Sequence, residues 1–84
     1  MHEMGIASSI LEAVRKETLL YPGYRVAKVE VRIGPFAGVD AESLRFCFDA
    51  IVKDSPNSPL ELNIESSTGD ELDLSRMELE EVNA

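Results

Sequence analysis

The chain has 84 residues, 44% of them apolar, with sixteen acidic residues against eight basic ones and a formal charge of −8. That length holds one small domain and no second core, and no run approaches the roughly 18 consecutive apolar residues that a membrane span needs. The acidic excess repels phosphate backbones and anionic lipid surfaces, which sets nucleic acid and membrane aside as partners.

The opening Met1-His2-Glu3-Met4 is acidic rather than basic and leads into an amphipathic pattern, so no signal peptide is read there and a cytoplasmic location is expected. The single cysteine, Cys47, can form no internal disulfide and rules out a Cys-x-x-Cys zinc site within the chain.

Ile6, Ala7, Ile10, Leu11, Ala13 and Val14 fall on one side of a helix, and Ser8, Ser9, Glu12, Arg15 and Lys16 on the other; Tyr21-Pro22-Gly23 ends it. From Val26 to Ile33 the period changes to two, with Val29, Val31 and Ile33 facing one way and Lys28, Glu30 and Arg32 the other. Gly34-Pro35 breaks this strand. Asp40 then stands as an N-cap before Leu44, Cys47, Phe48 and Ile51, whose spacing predicts a second helix to about Lys53. The segment Ser55-Pro56-Asn57-Ser58-Pro59 forms turns, and Leu60, Leu62 and Ile64 alternate into a second strand. Residues Ser66 to Asp70 read as a tight turn into a third strand. There Leu72 and Leu74 alternate, Met77 and Leu79 continue out of phase, and a bulge near Ser75-Arg76 restores the phase.

Each strand pairs an apolar face with a charged one, so both helices must cover the same side of the sheet. The expected fold class is α/β, a two-layer sandwich of two helices on a three-stranded mixed sheet, in the order α-β-α-β-β. The first two strands should run parallel through a right-handed crossover and the third antiparallel, with the strand order left open.

Several residues taken together resemble a known family. They are Met1-His2-Glu3-Met4, the run Ile6-Ala7-x-x-Ile10-Leu11-Glu12, the longer run Gly34-x-x-x-Gly38-Val39-Asp40-x-Glu42-Ser43-Leu44-x-Phe46-x-Phe48, and Gly69-Asp70-Glu71-Leu72. The family is HypA, the hydrogenase nickel-incorporation (maturation) protein, and the resemblance covers nearly the whole chain in order. It implies one nickel-binding domain over residues 1–84. Members normally carry a zinc domain with two Cys-x-x-Cys pairs between what are here the second and third strands. Only Ser66-Ser67-Thr68 stands in that place, so the zinc domain expected between about residues 65 and 69 is absent and no zinc is expected. The abrupt join fits an engineered excision, the preferred reading, or a naturally short variant. A second departure is Pro35, where similar proteins usually have Glu.

The resemblance implies that Ni(II) binds at the N-terminus, with Met1, His2, Glu3 and Asp40 as the candidate site. Nickel with strong nitrogen donors favours a square plane. The His2 Nδ1 and its own backbone nitrogen close a six-membered chelate, and the Met1 amine or the Glu3 amide adds a five-membered ring. Glu3 contributes its amide, or its carboxylate as a partner that orients the imidazole. Asp40 has an adequate purpose as an N-cap, and the resemblance also sets it near the metal. Cys47 lies on the buried stripe and is left out of the site. Phe46 falls off that stripe and is expected to pack beside the first helix rather than face a partner.

The implied function is that of a nickel metallochaperone, passing Ni(II) to a nickel-iron hydrogenase precursor, or to urease in some relatives. The implied partners are a companion HypB-like GTPase and the hydrogenase large-subunit precursor. The competing reading is a structural or protein-interaction module with an incidental N-terminus. One His, one buried Cys and no glycine-rich phosphate loop leave no nucleophile with its base, so no enzyme is expected. The shortened turn also invites the third strand to pair with another chain, as a homodimer formed by strand swapping.

Overall fold

The computed structural model describes residues 2–82. Among them the elements are α1 (Glu3–Leu20), β1 (Tyr24–Ile33), α2 (Ala41–Val52), β2 (Glu61–Ser66) and β3 (Leu72–Glu81), the expected order of an α/β sandwich.

Helix α1 buries Ala7, Ile10 and Val14 and ends where the chain loses helical geometry. Pro22 disfavours the helical region for the residue before it, and Tyr21 sits at φ −126° and ψ 76°. Gly23, at φ +88°, takes the left-handed turn that a side chain would resist, and β1 starts at once. Helix α2 starts at Asp40, whose carboxylate Oδ1 accepts hydrogen bonds from Glu42 N–H at 3.0 Å and Ser43 N–H at 3.3 Å. It buries Leu44, Phe48 and Val52, one residue per turn, while Cys47 and Ile51 are half-buried beside them.

The sheet order is β2-β1-β3, with β2 parallel and β3 antiparallel to the central β1. Val29, Val31 and Ile33 face the core as their alternation predicts, and Lys28, Glu30 and Arg32 are less buried. The third strand bulges where its phase break requires: Glu30 pairs with Arg76 and Val31 with Leu74, leaving Ser75 as the extra residue. A second irregularity lies in β1, where Val26 pairs with Leu79 and Lys28 with Glu78, leaving Ala27 over. It swings Val26 onto the core side, 2% exposed, three residues before Val29.

The link from β2 to β3 is not a hairpin between them. It passes over the end of β1, because the two strands lie on opposite sides of it. Ser67 N–H donates to Ile33 O at 3.1 Å on one side, and Gly34 N–H donates to Glu71 O at 2.9 Å on the other. Phe36 N–H reaches Gly69 O at 2.8 Å. Gly34 makes the crossing possible, since a Cβ there would lie 2.4 Å from the Gly69 carbonyl oxygen.

One core joins the layers. Ala7, Ile10 and Val14 from α1 and Leu44, Phe48 and Val52 from α2 meet Val26, Val29, Val31, Ile33, Leu60 and Leu62. Both helices therefore cover the same face. Phe46 does not pack beside α1: it is 76% exposed, because it lies on the opposite side of α2 from Leu44 and Phe48.

Candidate metal centre

Among the described candidates, Glu3 in the first turn of α1 meets the backbone of Asp40 at the start of α2. His2 is the N-cap of α1, extended at φ −89° and ψ 98°, and exposed. The first helical bond runs from Ile6 N–H to His2 O at 3.2 Å. The amides of Glu3, Met4 and Gly5 precede that bond and, like those of any first turn, have no partner within the helix.

An N-cap is usually Ser, Thr, Asp or Asn, whose side-chain oxygen takes up one of these amides. His2 makes no such bond. Forgoing it leaves His2 exposed and the nearby backbone nitrogens without helical partners. The partial positive charge at a helix N-terminus also favours loss of an amide proton, the step a backbone nitrogen needs before it can bind a metal.

Glu3 is half-buried, and its Oε2 accepts a hydrogen bond from Asp40 N–H at 3.0 Å. This bond, followed by one from its own N–H, holds the Glu3 carboxyl below the ordinary carboxylate range. One Glu3 oxygen is thus committed to α2, a role not foreseen from the sequence, where Glu3 was matched only to the metal and the imidazole. The Asp40 carboxylate caps α2 through Oδ1. The structure therefore brings Glu3 to the backbone of Asp40 and His2 next to Glu3 along the chain. Met1 lies outside the described residues.

Among the described residues, no three His, Cys, Asp or Glu side chains come together as a ready-made metal cluster. A chelate here would have to draw its donors from one imidazole and backbone nitrogens. Cys47 is half-buried against the core. No helix among the described residues is long and apolar enough to cross a membrane.

Comparison with known proteins adds an independent line. The sequence profile of the family described as hydrogenase/urease nickel incorporation, metallochaperone, hypA matches residues 1–79. The hydrogenase maturation factor HypA of Pelodictyon phaeoclathratiforme is 41% identical over 69 residues, covering 82% of this chain and 59% of that protein. The hydrogenase maturation factor HypA of Chlorobium limicola is 45% identical over 65 residues, covering 77% and 56%. That of Desulfatibacillum aliphaticivorans is 42% identical over 66 residues, covering 77% and 51%. The chain thus spans between half and three-fifths of the length of these relatives. No solved structure matches it.

Proposed function

The chain belongs to the HypA family of nickel-incorporation metallochaperones, and from that premise we propose that it is a single nickel-binding domain, residues 1–84, which carries Ni(II) at Met1, His2 and Glu3. A metallochaperone moves an ion from site to site and breaks no covalent bond, so the nickel is cargo.

The observation that carries this reading is the exposed His2 imidazole at an uncapped helix start, beside first-turn amides without helical partners. The His2 Nδ1 and backbone nitrogen close the six-membered ring, and the Met1 amine or the Glu3 amide supplies the next nitrogen. Asp40 belongs to the site through its N–H, which fixes the Glu3 carboxylate. An open, chain-end chelate of this type releases its metal by ligand exchange more readily than a closed site.

The recipient in this reading is a nickel-iron hydrogenase precursor in the cytoplasm, and a HypB-like GTPase is the companion. In this reading residues 1–84, with one cysteine, hold no Cys-x-x-Cys zinc site. Strand swapping into a homodimer would hinge at the short link over β1; a mass from light scattering that stays monomeric at all concentrations excludes it.

The spectroscopic test uses the protein with a free Met1 amine. Square-planar Ni(II) with deprotonated amide donors is diamagnetic, so the loaded protein should keep sharp NMR lines for residues near His2. Paramagnetic broadening there would indicate oxygen-rich octahedral binding and contradict the chelate. Absence of any nickel effect would favour the reading as a protein-interaction module.

A further inference from the structure

The nickel reading leaves one choice open: the ring beside the His2 chelate closes through the Met1 amine or through the Glu3 amide. The backbone of His2 bears on that choice. The torsion that separates the His2 nitrogen from the Glu3 nitrogen is ψ of His2, and it stands at 98°. A five-membered ring needs the two nitrogens nearly eclipsed. Standard bond lengths put them about 2.6 Å apart at ψ near zero and about 3.3 Å apart at the observed torsion. The shorter spacing fits neighbouring corners of a nickel square, and the longer one does not.

Two contacts hold the helix start in this form. Ile6 N–H donates to His2 O at 3.2 Å, which fixes the peptide plane that carries the Glu3 nitrogen. The Glu3 N–H turns to the residue's own carboxylate, and Oε2 of that carboxylate accepts the Asp40 N–H at 3.0 Å. To reach the Glu3 nitrogen, nickel would have to displace that amide proton from its partner and turn His2 out of the extended conformation that an N-cap adopts. The ring through the Met1 amine asks for neither, because it contains no atom of α1.

We propose that Glu3 excludes its own nitrogen from the nickel chelate, so that the ring closes through the Met1 amine. His2 supplies its backbone nitrogen and Nδ1, and the fourth position stays open to a ligand from outside the chain. Resting on the nickel reading, this makes Glu3 a positioning residue tied to Asp40 rather than a donor. A ligand of the recipient enters the open position before any nitrogen of this chain leaves, which suits transfer by exchange.

The test is calorimetric titration of Ni(II) into the protein with a free Met1 amine, its N-terminally acetylated form, and the Glu3→Ala, Glu3→Pro and His2→Ala variants, each checked for folding by circular dichroism. Proline is well placed at the first position of a helix, after an extended residue such as His2. Both Glu3 variants lose the carboxylate, and only proline loses the N–H. Glu3→Pro should therefore lose no more nickel affinity than Glu3→Ala does. Acetylation should weaken binding by at least the roughly 10- to 100-fold that loss of an outer partner costs a metal site. A loss of that size in Glu3→Pro that Glu3→Ala does not share would make the Glu3 nitrogen a donor. Acetylated protein that binds as the free form does would take the Met1 amine out of the chelate. Either result overturns the proposal. Nickel binding left intact by His2→Ala would overturn the nickel reading itself, and the proposal with it.

Discussion

The Glu3 carboxylate accepts the Asp40 backbone N–H at 3.0 Å and so ties the first turn of α1 to the start of α2. Asp40 in turn caps α2 with its own side chain. Capping and metal binding make different demands on that side chain, and two substitutions separate them. Asp40→Ala should lose about 1 kcal/mol of stability, whereas Asp40→Asn, an equally good cap, should lose little. Asp40 acts on the site through its backbone, so Asp40→Asn should leave nickel affinity unchanged. A loss of affinity in a folded Asp40→Asn protein would make the carboxylate a direct ligand.

Phe46 and Phe48 lie two residues apart on α2, one 76% exposed and the other fully buried. In urea unfolding, Phe48→Ala should cost roughly 3–5 kcal/mol, through lost burial and the cavity left behind. Phe46→Ala should stay within about 0.5 kcal/mol of the wild type. Similar losses at both would mean that Phe46 is covered in solution.

The crossing of the β2–β3 link over β1 depends on Gly34. A methyl group there meets the Gly69 backbone, which cannot rotate aside as a side chain would. Gly34→Ala should therefore destabilise by roughly 1–3 kcal/mol, the usual cost of overpacking. Hydrogen exchange should quicken first at Gly34 and Phe36, whose amides hold the link.

Glu71 supplies one part of the pH dependence. Its carboxyl is held below the ordinary value of 4.5, first by the Ser67 hydroxyl at 2.8 Å and then by its own N–H. A carboxyl lowered in the folded state stabilises the fold above its unfolded value, and that contribution fades as pH falls through the lowered folded value. Ser67→Ala should therefore be less stable than the wild type at neutral pH, with the gap closing in acid. A gap that widens in acid would reverse the assignment.

Helix and strand periods in the sequence identify both helices, the first two strands and their inward faces, because local burial patterns determine them. The bulge at Ser75 is also legible, since Met77 and Leu79 break the alternation begun by Leu72 and Leu74. The irregularity at Ala27 leaves the same odd spacing, with Val26 three residues before Val29, but the alternation marks the inward face from Val29, Val31 and Ile33 alone and does not place Val26 on it. Strand order is not legible either. A five-residue link suggests a hairpin, and only the contact between Gly34 and Gly69 shows that the chain can step across β1. At the N-terminus, the prominence of His2 rests on the resemblance to HypA, and its uncapped exposure could not be read from the sequence. The bond between Glu3 and Asp40 joins residues far apart in the chain, with no local pattern to mark it.

The most direct measurement is calorimetric titration of Ni(II) into the protein and its His2→Ala variant, with the Met1 amine free, at two pH values. The N-terminal chelate predicts one nickel per chain, affinity that rises with pH because amide protons must leave, and loss of that binding in the variant. Equal binding by both proteins, or affinity indifferent to pH, would contradict it.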